Sequence, residues 1–245
     1  MTLKASFVIP AYNAESYLAQ AILSCRAQSI KEIEIIVVND GSTDGTQELL
    51  EWHAKEDSRI IPVLADHKGR SAARNTGNAL VRAPIILVLD SDDMAMKNRV
   101  RDTLIQFNMK NMDVLYGPFQ VIDERNNLIG TQGAGPFNRE LALKKLQNFI
   151  GHSTMAYRKG VTLNVQYDEG EFSQLGLDDW KFQWDCIQKG YKFGFTKVPL
   201  SRYRLYQLPN QQLGSPTEFY RDSKEVKKLK DAYIAGFSDQ LSAKV

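Results

Sequence analysis

The chain has 245 residues, 43% hydrophobic and 24% charged, which is ordinary globular composition and a length that suits one domain. Its 31 Lys and Arg nearly balance 29 Asp and Glu, so a net charge of +2 gives no ground for a nucleic-acid binder, and two cysteines (Cys25, Cys186) exclude a disulfide scaffold and fit a reducing, cytoplasmic setting. No apolar run approaches the roughly 20 residues that span a bilayer, and Met1-Thr2-Leu3-Lys4 lacks a signal-peptide layout.

The first strand is the apolar run Phe7-Val8-Ile9, closed by Pro10. Residues 15–27 follow with helical spacing, placing Leu18, Ile22 and Cys25 on one side. Residues 33–38 are β-branched and too few for a helix, so they read as a second strand. The turn cluster 39–45 leads to a helix through Leu49, Leu50 and Trp52, a third strand at 60–64, a helix at 71–80 and a fourth strand at 85–89. The pattern then loosens. Residues 113–121 read as one strand, 130–136 as a Gly-rich loop and 140–149 as a helix. Residues 178–188 read as a helix with Trp180, Trp184 and Ile187 on one stripe, and 192–206 as two strand pieces broken at Pro199. Residues 217–237 form an amphipathic helix with Phe219, Val226, Leu229, Tyr233 and Phe237 near one face.

Near-continuous apolar strands alternating with helices predict an α/β fold with a mostly parallel sheet covered on both faces. Ligands of such sheets bind beyond the carboxyl ends of the strands. The polar clusters of this chain fall at those ends: Tyr12-Asn13, Asn39-Asp40 and Asp90-Ser91-Asp92-Asp93. Three carboxylates within four residues repel one another unless a cation or donors attend them. Hard divalent cations prefer carboxylate oxygens, while an acidic turn also suits a helix N-terminus. Tyr12 offers a ring on which a base can stack, or a half-buried end to a strand. Asp40 and Ser42 either meet a ligand or belong to a turn and a helix cap. Gly69-Arg70-Ser71-Ala72-Ala73-Arg74-Asn75 opens a helix, where arginine can meet a phosphate or order the loop, or is simply an exposed helix start. Asp178-Asp179 starts another helix, either as caps or with one of the pair serving as a general base.

Taken in order, Val8-Ile9-Pro10-Ala11-Tyr12-Asn13, Val37-Val38-Asn39-Asp40-Gly41-Ser42, Ala73-Arg74-Asn75 and Leu89-Asp90-Ser91-Asp92-Asp93 closely resemble glycosyltransferase family 2. The likeness runs on through 113–117, 152–155, Asp178-Asp179-Trp180 and Tyr203-Arg204. It implies one GT-A domain over 1–245, with a donor-binding half at about 1–110, an acceptor-side half at about 111–206 and the helix at 217–237. It also implies an inverting, metal-dependent transfer from a nucleoside-diphosphate sugar, with a UDP-sugar favoured. The acceptor implied is a hydroxyl of a saccharide or lipid-linked saccharide. A binding module without turnover, or a protein or nucleic-acid acceptor, stands as the alternative.

By the same resemblance Pro10 and Tyr12 border the nucleobase, Asp40 hydrogen-bonds it, Arg74 holds the donor side, and Asp90 and Ser91 lie near base or ribose. Asp92, with Asp93, carries Mn2+ or Mg2+ on the diphosphate, and Asp179 is the general base. The chain departs from the family pattern at Asn39 (commonly Asp), at His67 and Lys68 (commonly Asn and Gly), at Asp178 (commonly Glu) and at Tyr206 (commonly His). The 217–237 helix, with Lys224, Lys227, Lys228 and Lys230, either lies on a membrane carrying the acceptor or packs on its own domain or a partner subunit.

Overall fold

Strand β1 (Ala5–Ala11) is buried along its whole length and forms the axis of the larger sheet. In the computed structural model, which describes residues 2–133, 135–138, 150–207, 213–214 and 226–233, β1 runs parallel to β2 (Ile33–Asp40), and β2 runs parallel to β3 (Ile60–Ala65). On the other side of β1 lies β4 (Ile85–Val88), also parallel. The connections are the helices α1 (Leu18–Arg26), α2 (Thr46–Glu56) and α3 (Arg70–Leu80). Successive strands therefore switch sides at β1, and such a switch leaves a crevice beyond the carboxyl ends. Pro10 sits past the last β1–β4 pair, Val8 with Val88. A missing N–H costs nothing there, because β4 has already diverged.

The chain continues through β5 (Met94–Ala95), α4 (Arg99–Met109), β6 (Val114–Tyr116), β7 (Phe119–Ile122), β8 (Leu128–Gln132) and β9 (Ala156–Arg158). Then come α5 (Glu171–Gln174), α6 (Asp178–Gln188), β10 (Phe193–Phe195), β11 (Ser201–Arg204), β12 (Tyr206–Gln207) and β13 (Leu213–Gly214). The seven-stranded sheet has the order β10-β6-β9-β4-β1-β2-β3, and β9 is antiparallel to both its neighbours. A four-stranded sheet, β5-β11-β7-β8, lies beside it.

Two sequence expectations are corrected. The single strand expected at 113–121 is broken at Gly117-Pro118, so β6 stays in the large sheet and β7 enters the small one. A Cβ on Gly117 would stand 2.8 Å from the Thr196 side chain, which is why the break falls on glycine. The loop expected from 130 begins as strand instead, because β8 pairs antiparallel with β7, Phe119 opposite Gln132. The helix expected at 140–149, together with Phe219 and Phe237 of the C-terminal helix, lies outside the described residues. Residues 226–233 are helical, and their apolar side faces the domain: Val226 is buried, and Leu229 and Tyr233 pack with Phe172, Trp180 and Trp184. Among the described residues no helix is long and apolar enough to cross a membrane.

The inward side of α3 is built of small residues, Ser71, Ala72, Ala73 and Gly77, apart from Arg74 and Asn78. They let the helix lie close on β1 and β2 and so bring Arg74 to the rim of the sheet. A Cβ on Gly77 would fall 2.5 Å from Val8 Cγ1 and 3.3 Å from Val38 Cγ2. Gly77→Val is therefore expected to cost about 1–3 kcal/mol in urea unfolding by overpacking this contact. At Gly160 a Cβ meets nothing within 4 Å, and Gly160→Ala should leave the midpoint unchanged.

Candidate active site

The ends of β1, β2 and β4 meet at one rim. Asn13 follows β1 with φ +47, a left-handed conformation that Asn tolerates. Its side-chain oxygen accepts the Thr43 N–H at 2.9 Å, and its own N–H donates to Ser42 Oγ at 3.0 Å, which ties the β1 loop to the β2 loop. Asp44 caps α2 by accepting the Thr46 N–H. Asn39 accepts the Ser42 N–H and donates to Gln47. Asn39 thus serves the turn, and a carboxylate is not needed there.

Asp40 is buried at the end of β2. Its Oδ1 accepts the Lys68 N–H and its Oδ2 the Gly69 N–H, each at 2.9 Å. Gly69 holds φ +92, which favours glycine at this turn. His67 Nδ1 lies 2.9 Å from Asp40 Oδ2, and the His67 ring stacks on Tyr12 with centroids 4.0 Å apart. Asp40 thus organises the loop that carries His67 against Tyr12.

The acidic turn follows β4. The Asp93 N–H bonds back to the Asp90 carbonyl, and Ser91 and Asp92 sit half-buried between them. The three aspartates of this turn have different fates. Burial acts to raise the Asp90 pKa, but Arg74, with His152 and Arg70, overcomes it and brings Asp90 to about 2. Burial and Asp90 push Asp92 up, and burial with Asp92 and Asp90 pushes Asp93 well up. Tyr206 Oη donates to Asp92 Oδ2 at 2.8 Å, and the Arg204 N–H donates to Asp93 Oδ1 at 2.9 Å. Ser153 lies beside Asp93, whose Oδ2 is buried without a hydrogen bond. The phenol of Tyr206, unlike the family's usual His, therefore caps the acidic turn with a neutral donor.

Arg74 bridges this turn to the start of α6. Its Nη2 donates to Asp90 Oδ1 at 2.7 Å, and its Nη1 donates to Asp178 Oδ2. Arg70 Nη2 pairs with Asp178 Oδ1 at 2.8 Å. Both oxygens of Asp178 are therefore engaged by arginine, which leaves Asp179 as the other acid of the pair. Asp179 is buried, its Oδ1 accepts the Trp180 N–H, and its charge acts on His152. Burial and Arg74 lower the His152 pKa to about 4, so this imidazole stays neutral at pH 7. The structure thus gathers Asp90, Arg74, Asp178, Asp179 and His152 in one network, and sets Pro10, Tyr12 and Asp40 along the rim from it.

Sequence reasoning missed several members. Arg204 is fully buried and donates to the Asp92 and Asp123 carbonyls, Gln20 and Asn126, locking the acidic turn to the β7–β8 connection. Arg99, buried under the turn, donates to the Val88 and Met155 carbonyls, and burial lowers its pKa to about 10. Arg70, within the 69–75 helix start, and His152, within the 152–155 stretch of the likeness, likewise received no role of their own, because no local spacing shows that they meet Asp178 and Asp90.

The family model described as Glycosyl transferase family 2 matches residues 6–163. The chain belongs to glycosyl transferase family 2. An uncharacterized glycosyltransferase of Haemophilus influenzae is 29% identical over 185 residues, 75% of this chain and 72% of that one. Glycosyltransferase GlyG of Streptococcus pneumoniae is 32% identical over 146 residues, 58% of this chain and 48% of its own length. S. aureus TarS 1–349 in complex with UDP-GlcNAc matches with a TM-score of 0.69 at 19% identity, covering 93% of this chain and 65% of that one. The same protein with UDP gives 0.66 at 20% identity, over 82% of this chain and 60% of that one. This likeness shows the GT-A fold, and the chain spans less than two thirds of TarS 1–349 and about half of GlyG.

In this family 2 chain, removing Arg74 leaves Asp90 without its arginine and Asp178 with Arg70 alone. Arg74→Met is expected to destabilise it by about 3 kcal/mol, the cost of leaving a buried charge without its partner. With the Asp90 pKa near 2, below the usual 3.8, that group's stabilisation is present above about pH 4 and is lost as pH falls toward 2. Urea unfolding at pH 6 and pH 3 should therefore show the gap between wild type and Arg74→Met narrowing at the lower pH. A gap that widens on acidification contradicts the assignment.

Proposed function

We propose that this chain is an inverting glycosyltransferase that moves a sugar from a nucleoside-diphosphate sugar, foremost a UDP-sugar, to a hydroxyl of a saccharide or lipid-linked saccharide. Polysaccharide or glycolipid synthesis is the setting this reaction fits. The observation that carries the reading is the placement of the acidic turn 90–93 on the same rim as Tyr12, across the Arg74 bridge from Asp179. The UDP and UDP-GlcNAc complexes of TarS support the choice of donor.

The turn fits a divalent cation. Its free donors are carboxylate oxygens, the ligands that Mg2+ and Mn2+ select. Asp93 Oδ2 is buried without a hydrogen bond, and both Asp92 and Asp93 are pushed toward protonation by burial and by neighbouring acids, which a cation reverses. Among the described residues no group of three His, Cys, Asp or Glu stands ready as a complete site. Asp92 and Asp93 would therefore be the residues that hold the cation, as one or two carboxylates often suffice for Mg2+ at a phosphate site. When bound, the cation neutralises charge on the departing diphosphate.

The remaining roles belong to the chain itself. Tyr12 and Pro10 border the base, and Asp40 fixes the loop beside it. Asp90 and Ser91 lie near the base or ribose, with Arg74 holding Asp90 ionised. Asp179 takes the proton of the attacking hydroxyl, because Asp178 is committed to Arg70 and Arg74. No nucleophile is required for inversion, since the acceptor oxygen attacks the anomeric carbon directly. Contact with a membrane that carries the acceptor falls to the exposed Lys227 and Lys228, outside the packed side of their helix.

Two substitutions separate binding from chemistry. Asp179→Asn is expected to lower UDP release from UDP-sugar by about 10²–10⁴-fold while calorimetric UDP affinity stays at the wild-type value. Asp92→Ala is expected to abolish the Mn2+ dependence of UDP binding. Full turnover in Asp179→Asn, or Mn2+ dependence retained in Asp92→Ala, contradicts the corresponding role.

A further inference from the structure

We propose that His67, rather than Asp40, reads the nucleobase of the donor, and that it selects a base presenting a ring N–H, uracil over cytosine. This rests on the donor-site reading above and names the atom that performs the recognition.

Asp40 is already occupied. Its side chain is 3% exposed, and its two oxygens take the N–H groups of Lys68 and Gly69 together with His67 Nδ1. Three donors from one loop use the directions in which a base could approach. His67, by contrast, has a side chain 53% exposed.

The geometry fixes the His67 tautomer. Nδ1 lies 2.9 Å from Asp40 Oδ2 and 3.0 Å from the Asp40 carbonyl oxygen. Facing two acceptors, Nδ1 carries the hydrogen, and in the neutral ring Nε2 is left with its lone pair. Asp40 thus passes its acceptor character outward to Nε2. The loop that presents the ring is held tightly to β2: at Gly41, φ is +68 and a Cβ would stand 2.9 Å from the His67 backbone nitrogen.

The stack sets the orientation of the base. Tyr12 and His67 lie 4.0 Å apart with an interplanar angle of 18°. That separation is one ring thickness, so no base enters between them. A base whose N–H meets Nε2 lies near the imidazole plane, and the small angle keeps it parallel to Tyr12, extending the stacked layer. Uracil presents N3–H at its pairing edge. Cytosine has an unprotonated N3 there, which sets a lone pair against a lone pair.

The test measures UDP and CDP binding by calorimetry with Mn2+ at pH 8, in wild type, His67→Phe and Tyr12→Ala. Wild type should prefer UDP by about tenfold, the worth of one hydrogen bond made against one denied. His67→Phe keeps the stack but removes Nε2, and its preference should fall to within about twofold. A folded His67→Phe that keeps the full preference, or a wild type with none, overturns the proposal. Nitrogen-15 spectra of the wild-type histidines, only three in the sequence, give a readout that needs no variant. His67 should show the Nδ1–H tautomer and an Nε2 shift on adding UDP but not CDP; an Nε2–H tautomer, or no shift with UDP, overturns it. Tyr12→Ala separates the two levels. UDP binding unchanged in both variants removes the donor-site reading itself, whereas weakening in Tyr12→Ala alone, with preference kept in His67→Phe, removes only the role of His67.

Discussion

The buried guanidinium of Arg74 is the constraint on which this molecule depends. It joins Asp90, at the end of a central strand, to Asp178, at the start of a helix that follows 88 residues later. Burial disfavours the charge on Arg74, and the two carboxylates overcome it. The same bridge does not reach Asp92 and Asp93, where burial raises both, Asp92 with help from Asp90 and Asp93 with help from Asp92 and Asp90. One rim therefore holds two kinds of acid: those balanced by arginine and those suited to a cation. That division follows from where Arg74 reaches.

The reach of Arg74 follows from backbone packing. Small residues on the inner side of α3, with Gly77 against Val8 and Val38, bring the helix close enough for its arginine to arrive at the sheet edge. Pro10 marks where β1 loses its β4 partner and the crevice opens. Arg204 then fixes the acidic turn through the Asp92 carbonyl oxygen, and Arg99 fixes the end of β4 beneath it through the Val88 carbonyl oxygen.

Much of the first 95 residues was legible in the sequence. Short β-branched runs and turn clusters are local signals, and they located β1 to β4 and the polar ends Tyr12, Asp40 and Asp90 to Asp93 within a residue or two. The family resemblance supplied roles that spacing alone leaves open. What escaped was non-local. β8 is a strand only because β7 lies beside it, and residues 113–121 divide only because Gly117 must pass close to Thr196. The engagement of Asp178 by Arg70 and Arg74, the bond from the Asp90 N–H to Ser153 Oγ and the capping of Asp92 by Tyr206 each join residues 60 or more positions apart. No periodicity encodes such contacts. The role given to Asp40 shows the same limit, because only the folded loop reveals that Lys68, Gly69 and His67 have taken its oxygens.

The claim at the centre is that the acidic turn left unbalanced by Arg74 is where a divalent cation meets the donor diphosphate. A crystal of the chain grown with UDP and Mn2+, measured at the manganese absorption edge, locates that ion directly. The account predicts one anomalous peak in contact with an Asp92 carboxylate oxygen and the β-phosphate of UDP, with Arg74 still spanning Asp90 and Asp178. UDP bound with no peak at this turn, or a peak held by other residues, contradicts it.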